Sequence, residues 1–285
     1  MTRASLPEEE RAVRALALRL GLGPTNVRLV KAAHHTTLRL DPSRLIARVQ
    51  SGEPPEDALR TAALELAVAR HLEARGAPAV RPAAPAIAGP RLVGRCVVTL
   101  WPDLGAARPA RSSDEAAAAR ALGSIHSALA DFAGPLPDRA DVLDRCRRTL
   151  DDPAASPALA DDDRRFLQQA FERLRAEIDA LGAPTAALHG DAHLGNVLVG
   201  PDGPVWIDFE AVCRGPLAHD VAGFSPRVRP LFATADPGLV SLCADLRSVC
   251  VAVWCWADFG RSAAVRKAAL HHLAKLKAGI AASQR

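Results

Sequence analysis

Apolar positions along this chain fall into helical spacing in some stretches and into short β-prone runs in others. Residues 6–20 carry the helical pattern, with Ser5 placed as N-cap, Pro7 and Glu8 to Glu10 suited to a first turn, and Gly21, Gly23 and Pro24 ending it. Three short runs at 27–30, 36–40 and 45–49, separated by 32–35 and by the turn Asp41-Pro42-Ser43, read as an antiparallel meander. Residues 58–75 form the next helix, apolar at Leu59, Ala62, Ala63, Leu66, Val68 and Leu72 and stopped by Gly76 and Pro78. Glu65 stands in the middle of it. The segment 80–90 is Pro-rich and extended, and 96–100 is a β run ending at Trp101-Pro102-Asp103. Helices then dominate, at 113–130 with Ser112 or Ser113 as cap, at 141–150, 163–181, 238–259 and 263–280, with 151–162 an exposed loop.

The stretch from Leu188 to Glu210, LHGDAHLGNVLVGPDGPVWIDFE, interrupts that helical series. It reads as strand, loop, strand, turn, strand: Asn196 opens Asn-Val-Leu-Val, Pro201-Asp202-Gly203 is a turn, and a final strand delivers Asp208. A hairpin of this kind is expected to hold Asp191, Asn196 and Asp208 on one support. The Asp208 carboxylate and the Asn196 amide oxygen are hard oxygen donors of the kind Mg²⁺ accepts while keeping waters and substrate phosphates in its other positions. Asp191, five residues before Asn196, is placed to take a proton from a substrate hydroxyl. The order Asp, four residues, Asn, then a second Asp after a hairpin is that of the catalytic and metal-binding loops of protein kinases.

Bulk properties narrow the alternatives. At 285 residues the chain has room for a two-lobed enzyme. No stretch approaches the ~20 uninterrupted apolar residues of a membrane span, and the N-terminus lacks an apolar signal core, so a cytoplasmic protein without a membrane partner is expected. The six Cys form no CxxC pair and do not group with His at zinc spacing, which points to buried reduced thiols. A net charge of +4 without an arginine-rich run argues against nucleic acid as a partner.

His189-Gly190-Asp191-Ala192-His193-Leu194-Gly195-Asn196, followed by Asp208-Phe209-Glu210, resembles the signature of the aminoglycoside phosphotransferase family, the small-molecule branch of the protein-kinase-like fold. The resemblance implies an α+β, bilobal fold with a small β-rich N-lobe over 1–100 and a larger, mainly helical C-lobe over 101–285. It also implies ATP- or GTP-dependent transfer of the terminal phosphoryl group to a hydroxyl of a small molecule, with Asp191 as base and Asn196 and Asp208 holding Mg²⁺. By position Arg48, in LIARV, is the cation of the third strand, where protein kinases use Lys; an exposed strand Arg is the competing reading. Glu65 is then its ion-pair partner, or Glu73 if the helix register is displaced. The nucleotide base is expected near Thr99 to Asp103, with Trp101 either a wall of that site or hinge packing. Asp220 matches an Asp that braces the catalytic loop, His189 is taken as a brace of the same loop, and His193 as a neighbour of the ligands. The turn 32–36, Ala-Ala-His-His-Thr, departs from the family in lacking the glycines that let backbone amides approach a phosphate.

Charge bears on the acceptor. Residues 211–285 hold four Asp, no Glu and ten Lys or Arg, the wrong sign for a polycationic aminoglycoside, whereas 131–163 holds nine Asp against four Arg. A neutral or weakly charged hydroxylated acceptor, such as a sugar-bearing antibiotic or a metabolite, is the expectation. A nucleotide-binding pseudokinase and a sugar or primary-metabolite kinase stay open as alternatives.

Overall fold

The computed structural model describes all residues except 1–5, 24, 33, 34, 53, 284 and 285, and the side chains of 280–283. Ser5 as cap, Pro24 as helix stop, and Ala33 and His34 of the 32–36 turn therefore lie outside the described residues. In chain order the elements are α1 (Leu6–Arg19), β1 (Asn26–Ala32), β2 (Thr36–Asp41), β3 (Leu45–Gln50), α2 (Pro55–Ala74), α3 (Pro85–Ala88), β4 (Arg91–Val93), β5 (Cys96–Pro102), β6 (Arg108–Pro109), α4 (Glu115–Leu129), α5 (Arg139–Asp151), α6 (Asp161–Ala180), β7 (Thr185–Leu188), β8 (Val197–Gly200), β9 (Gly203–Trp206), β10 (Cys213–Pro216), α7 (Ala218–Val221), α8 (Pro237–Ala257) and α9 (Ala263–Ser283). By internal contacts the chain falls into two compact units, Met1–Gly134 with Leu194–Glu210, and Pro135–His193 with Ala211–Arg285. The sequence reading drew a single boundary near residue 100. The units instead exchange segments around the Leu188–Glu210 stretch.

In the first unit β1, β2, β3, β5 and β4 form an antiparallel sheet in that order. Strand β5 sits between β3 and β4, and its residues from Cys96 to Trp101 are all buried, which is why it reads as a continuous apolar run rather than an alternating one. On α2 the buried face is Ala58, Ala62, Glu65, Leu66, Ala69 and Leu72, a helical stripe with one carboxylate set into it. The hairpin β8–β9 pairs on its other edge with β6. Trp206, at the end of β9, is fully buried. Its indole Nε1 donates to the Ala118 carbonyl of α4 at 3.1 Å, its backbone N–H donates to Pro78 O and its carbonyl accepts from Val80 N–H. These bonds fix the exit of β9, from which Asp208 follows two residues later.

The second unit is mainly helical, α8 packing on α5, α6, α7 and α9, with a two-stranded antiparallel ribbon of β7 and β10. Helix α8 is long and apolar enough, by length and composition alone, to cross a membrane, but its apolar stripe from Leu239 to Trp256 is buried within this unit. The buried Arg164 ties the α5–α6 connection together, its guanidinium donating to Leu150 O, Ser156 Oγ and Ser156 O. All six Cys are free thiols, five of them buried.

Two sequence expectations change here. Asp191, Asn196 and Asp208 do not share one hairpin, because β7 pairs with β10 rather than with β8. The chain therefore leaves β7 through Asp191 in the second unit and enters β8 in the first. Helix α4 also starts two residues later than read: Ser112–Asp114 is a 3₁₀ turn, and Asp114 is engaged by the Arg108 guanidinium at 2.8 and 3.0 Å instead of either Ser acting as an α-helix cap.

Candidate active site

In the first unit Arg48 is the centre of a carboxylate cluster. Its Nη1 is ion-paired with Glu65 Oε1, and its Nη2 lies 2.9 Å from Asp208 Oδ1 and 3.2 Å from Glu210 Oε2. The pairing of β3 with β5 sets Arg48 directly opposite Thr99, so both project from one face of the sheet. Glu65 is 1% exposed, and it also accepts the Phe209 backbone N–H at 3.2 Å, so one side chain of α2 holds both the strand cation and the chain just past Asp208. Burial, against the pull of Arg48 and reinforced by Asp208 and Glu210, pushes the Glu65 carboxyl up to about 7. Burial disfavours the Arg48 charge, but the three carboxylates outweigh it and raise that pKa.

Asp208 has φ 71°, one of two described non-glycine residues with positive φ. Asp tolerates this left-handed region better than most side chains, and the bend turns the carboxylate back toward β3. At the same end of the hairpin, Asn196 is buried and its carbonyl takes the Ile207 N–H at 3.0 Å. One carboxylate and one amide oxygen suit Mg²⁺, which is usually held by one or two protein oxygens with phosphates and waters completing the shell. Among the described residues no group of three His, Cys, Asp or Glu forms a metal cage by itself. Thr99 and Trp101 are buried, and the Trp101 indole donates to Thr99 Oγ1 at 2.9 Å, so each partly satisfies the other on β5. His35, from the turn that lacks the family's glycines, is bonded through Nε2 to Glu210 Oε2.

In the second unit Asp191 is gripped from both sides. Its Oδ1 accepts from Arg247 Nη1 at 3.0 Å, and its Oδ2 lies 3.2 Å from His193 Nε2. Burial works to raise the carboxyl, but the His193 hydrogen bond and the Arg247 charge outweigh it and hold Asp191 well below the usual carboxylate range. The loop that carries it is tied to α7: Asp220 accepts the N–H of His189 at 2.8 Å and that of Gly190 at 2.9 Å, one on each oxygen. Arg139 donates to the Gly190 carbonyl at 2.8 Å. Gly190 has φ 85°, and a Cβ there would stand 1.8 Å from Ala211 O, so no other residue fits without moving the chain. Sequence reasoning found Asp220 and missed Arg247 and Arg139, since a lone Arg on a helix carries no signal until its partner is known.

An α+β chain with a β-rich first part, a helical second part and these two acidic loops has the architecture of the small-molecule kinases of the protein-kinase-like fold. The chain belongs to the phosphotransferase enzyme family, APH, whose pattern matches residues 15–241, and is thus a phosphotransferase acting on small-molecule hydroxyls. Among solved structures it is similar to choline kinase LicA from Streptococcus pneumoniae, with 12% identity, a TM-score of 0.71, and 95% of this chain and 99% of that one covered. It is similar too to the aminoglycoside phosphotransferase APH(2")-IIia in complex with GDP and kanamycin, with 13% identity, TM-score 0.67 and coverage of 94% and 98%. The amicoumacin kinase hAmiN, in complex with AMP-PNP, Ca²⁺ and Ami, matches with 12% identity, TM-score 0.66 and coverage of 98% and 96%. No curated protein sequence matches the chain.

Proposed function

We propose that the protein transfers the terminal phosphoryl group of ATP or GTP to a hydroxyl of a small, hydroxylated acceptor. The observation that carries this reading is the Arg48 cluster, in which the strand cation and the acid of Asp208-Phe209-Glu210 are held through one helix carboxylate, Glu65. Nucleotides accompany several of the structural relatives, in support of a nucleotide donor. In this reading Asn196 and Asp208 hold Mg²⁺, which when bound neutralises charge on the phosphates. Arg48 steadies the donor and Glu65 keeps Arg48 in place. Thr99 and Trp101 stand beside the nucleotide base. Asp191 accepts a hydrogen bond from the acceptor hydroxyl and takes its proton. The hydroxyl oxygen forms the new P–O bond while the bond from the γ-phosphorus to the bridging oxygen breaks, releasing the nucleoside diphosphate. Such transfer depends mainly on alignment and charge, so the residues need to position rather than react covalently.

An assay of diphosphate release with Mg²⁺, ATP or GTP and a panel of sugars, metabolites and hydroxyl-bearing antibiotics tests this. Asp208→Ala is expected to abolish turnover, and Asp191→Ala to lower kcat far more than nucleotide affinity. Nucleotide-dependent thermal stabilisation with no product from any acceptor would favour the pseudokinase reading instead.

A further inference from the structure

Resting on Asp191 as the residue that meets the acceptor hydroxyl, the geometry points to an acceptor that carries an anionic group, a carboxylate or phosphate, bound by Arg247 beside the reacting hydroxyl. Arg247 reaches from α8 to Asp191 with Nη1 at 3.0 Å, and no other hydrogen bond of its guanidinium is found among the described residues. A guanidinium has five N–H donors in a planar fork suited to carboxylate and phosphate. One N–H engaged with Asp191 leaves the rest of the fork for a ligand next to that carboxylate.

The neighbouring charges have the same sign. Lys275 on α9 places Nζ 3.0 Å from Ser248 Oγ, one residue past Arg247 on α8. The His272 imidazole is pushed down to about 4, by burial first and then by His271, Lys275 and Arg247, so these groups share one electrostatic neighbourhood. Nδ1 of His272 is buried and without a hydrogen-bond partner among the described residues. Helix α9 contains Arg266, Lys267, Lys275 and Lys277 and no acid, although Lys277 is paired with Asp163 of α6, and the one acid within α8, Asp245, is exposed.

The arrangement also explains how Asp191 comes to act as a base. With Arg247 on one oxygen and His193 on the other, the carboxylate is a poor proton acceptor. An anionic group that engages the Arg247 fork spreads that positive charge over two carboxylates or over phosphate and carboxylate, and restores proton affinity to Asp191. A polycation has the opposite effect, because it competes with Arg247 for Asp191 and meets the charge of Arg247 and Lys275. The acceptor class thereby moves from neutral or weakly charged to anionic.

The test is a panel of size-matched hydroxylated compounds, namely hydroxy acids, sugar acids and sugar phosphates, their neutral parents, and amino sugars including kanamycin. Binding is read by thermal shift and turnover by diphosphate release with Mg²⁺ and ATP or GTP. Anionic members are expected to bind and turn over in preference to their parents. Arg247→Gln is expected to raise KM for them by about 10- to 100-fold, the size of one lost charge-assisted contact, with a smaller change in kcat and a narrowed gap between acid and parent. Arg247→Lys should recover part of that gap. Preference for neutral or cationic members, no response to any anionic member, or an equal effect of Arg247→Gln on all three classes overturns the inference. Nucleotide turnover on neutral acceptors that equals or exceeds that on their anionic counterparts overturns it while leaving phosphoryl transfer standing. Anion selection through Arg247 with full turnover in Asp191→Asn does the reverse: it removes Asp191 as base and leaves the anion site in place.

Discussion

Glu65 holds Arg48 from inside the apolar stripe of α2, where a carboxylate with 1% exposure has no water to replace its partner. Breaking a buried pair leaves an uncompensated charge, and such single substitutions cost on the order of 3–5 kcal/mol. Glu65→Ala strands less charge than Arg48→Ala, because Arg48 keeps Asp208 at 2.9 Å and Glu210 at 3.2 Å. Arg48→Ala is therefore expected to be the more destabilising single change. The double variant Arg48→Met, Glu65→Leu is expected to unfold at a higher urea concentration than Arg48→Ala alone. A double variant no more stable than that single would show that the Arg48 contacts to Asp208 and Glu210, rather than the buried pair, supply the stability.

Asp220 satisfies two adjacent backbone N–H groups in a fully buried turn, each bond near 2.9 Å. Asp220→Ala leaves both donors unpaired, at about 1–3 kcal/mol each, and frees the loop that presents Asp191. Faster amide hydrogen exchange at His189 and Gly190, with exchange in the β8–β9 hairpin unchanged, is the expected signature. Uniformly accelerated exchange would mean that Asp220 supports the whole fold rather than this loop.

Gly190→Ala attacks the same loop by a different route. The added Cβ meets Ala211 O at 1.8 Å, and φ 85° is a conformation that alanine rarely adopts. A loss of several kcal/mol is expected, together with a fall in kcat of at least tenfold, because Asp191 is the next residue. A variant with wild-type Tm and turnover would show that the loop relaxes freely.

The loops were legible because their chemistry is local. Residue type and spacing single out Asp191, Asn196 and Asp208, whereas Glu65 comes only from the family resemblance, with Glu73 left open beside it; the structure pairs Arg48 with Glu65, on the buried face of α2. What stayed hidden is long-range pairing. That β7 bonds to β10 across the intervening hairpin depends on strand partners that no short window contains, and for that reason the single support for all three residues was misread. Arg247 and Arg139 were invisible for the same cause: they lie 56 and 51 residues from the groups they bind. His35 needed a carboxylate 175 residues away to acquire a role. The amphipathic helices, by contrast, came out within a few residues, α1 ending at Arg19 against a reading of 20 and α6 starting at Asp161 against 163.

His219 sets a pH dependence that can be isolated. It is 9% exposed, and burial first, then the Arg139 charge, push its pKa from the ordinary 6.5 down to about 3. The folded state thus binds the proton more weakly than the unfolded chain, so its contribution is fully present above pH 6.5 and is lost as pH falls from there toward 3. At about 1.4 kcal/mol per pKa unit the full loss is on the order of a few kcal/mol. Asp191, also held low, adds a loss of the same sign only below the ordinary carboxylate range, so between pH 6.5 and 4.5 the fall is shared by His219 and His272, whose imidazole is pushed down to about 4. Glu65, raised to about 7, acts in the opposite sense over 4.5 to 7 and blunts the slope in both wild type and variant. Urea unfolding at pH 7.5 and 4.5 should therefore show a smaller difference in His219→Gln than in the wild type, whatever the variant costs at pH 7.5. An unchanged difference would mean that His219 is protonated as readily in the folded protein as in the unfolded chain.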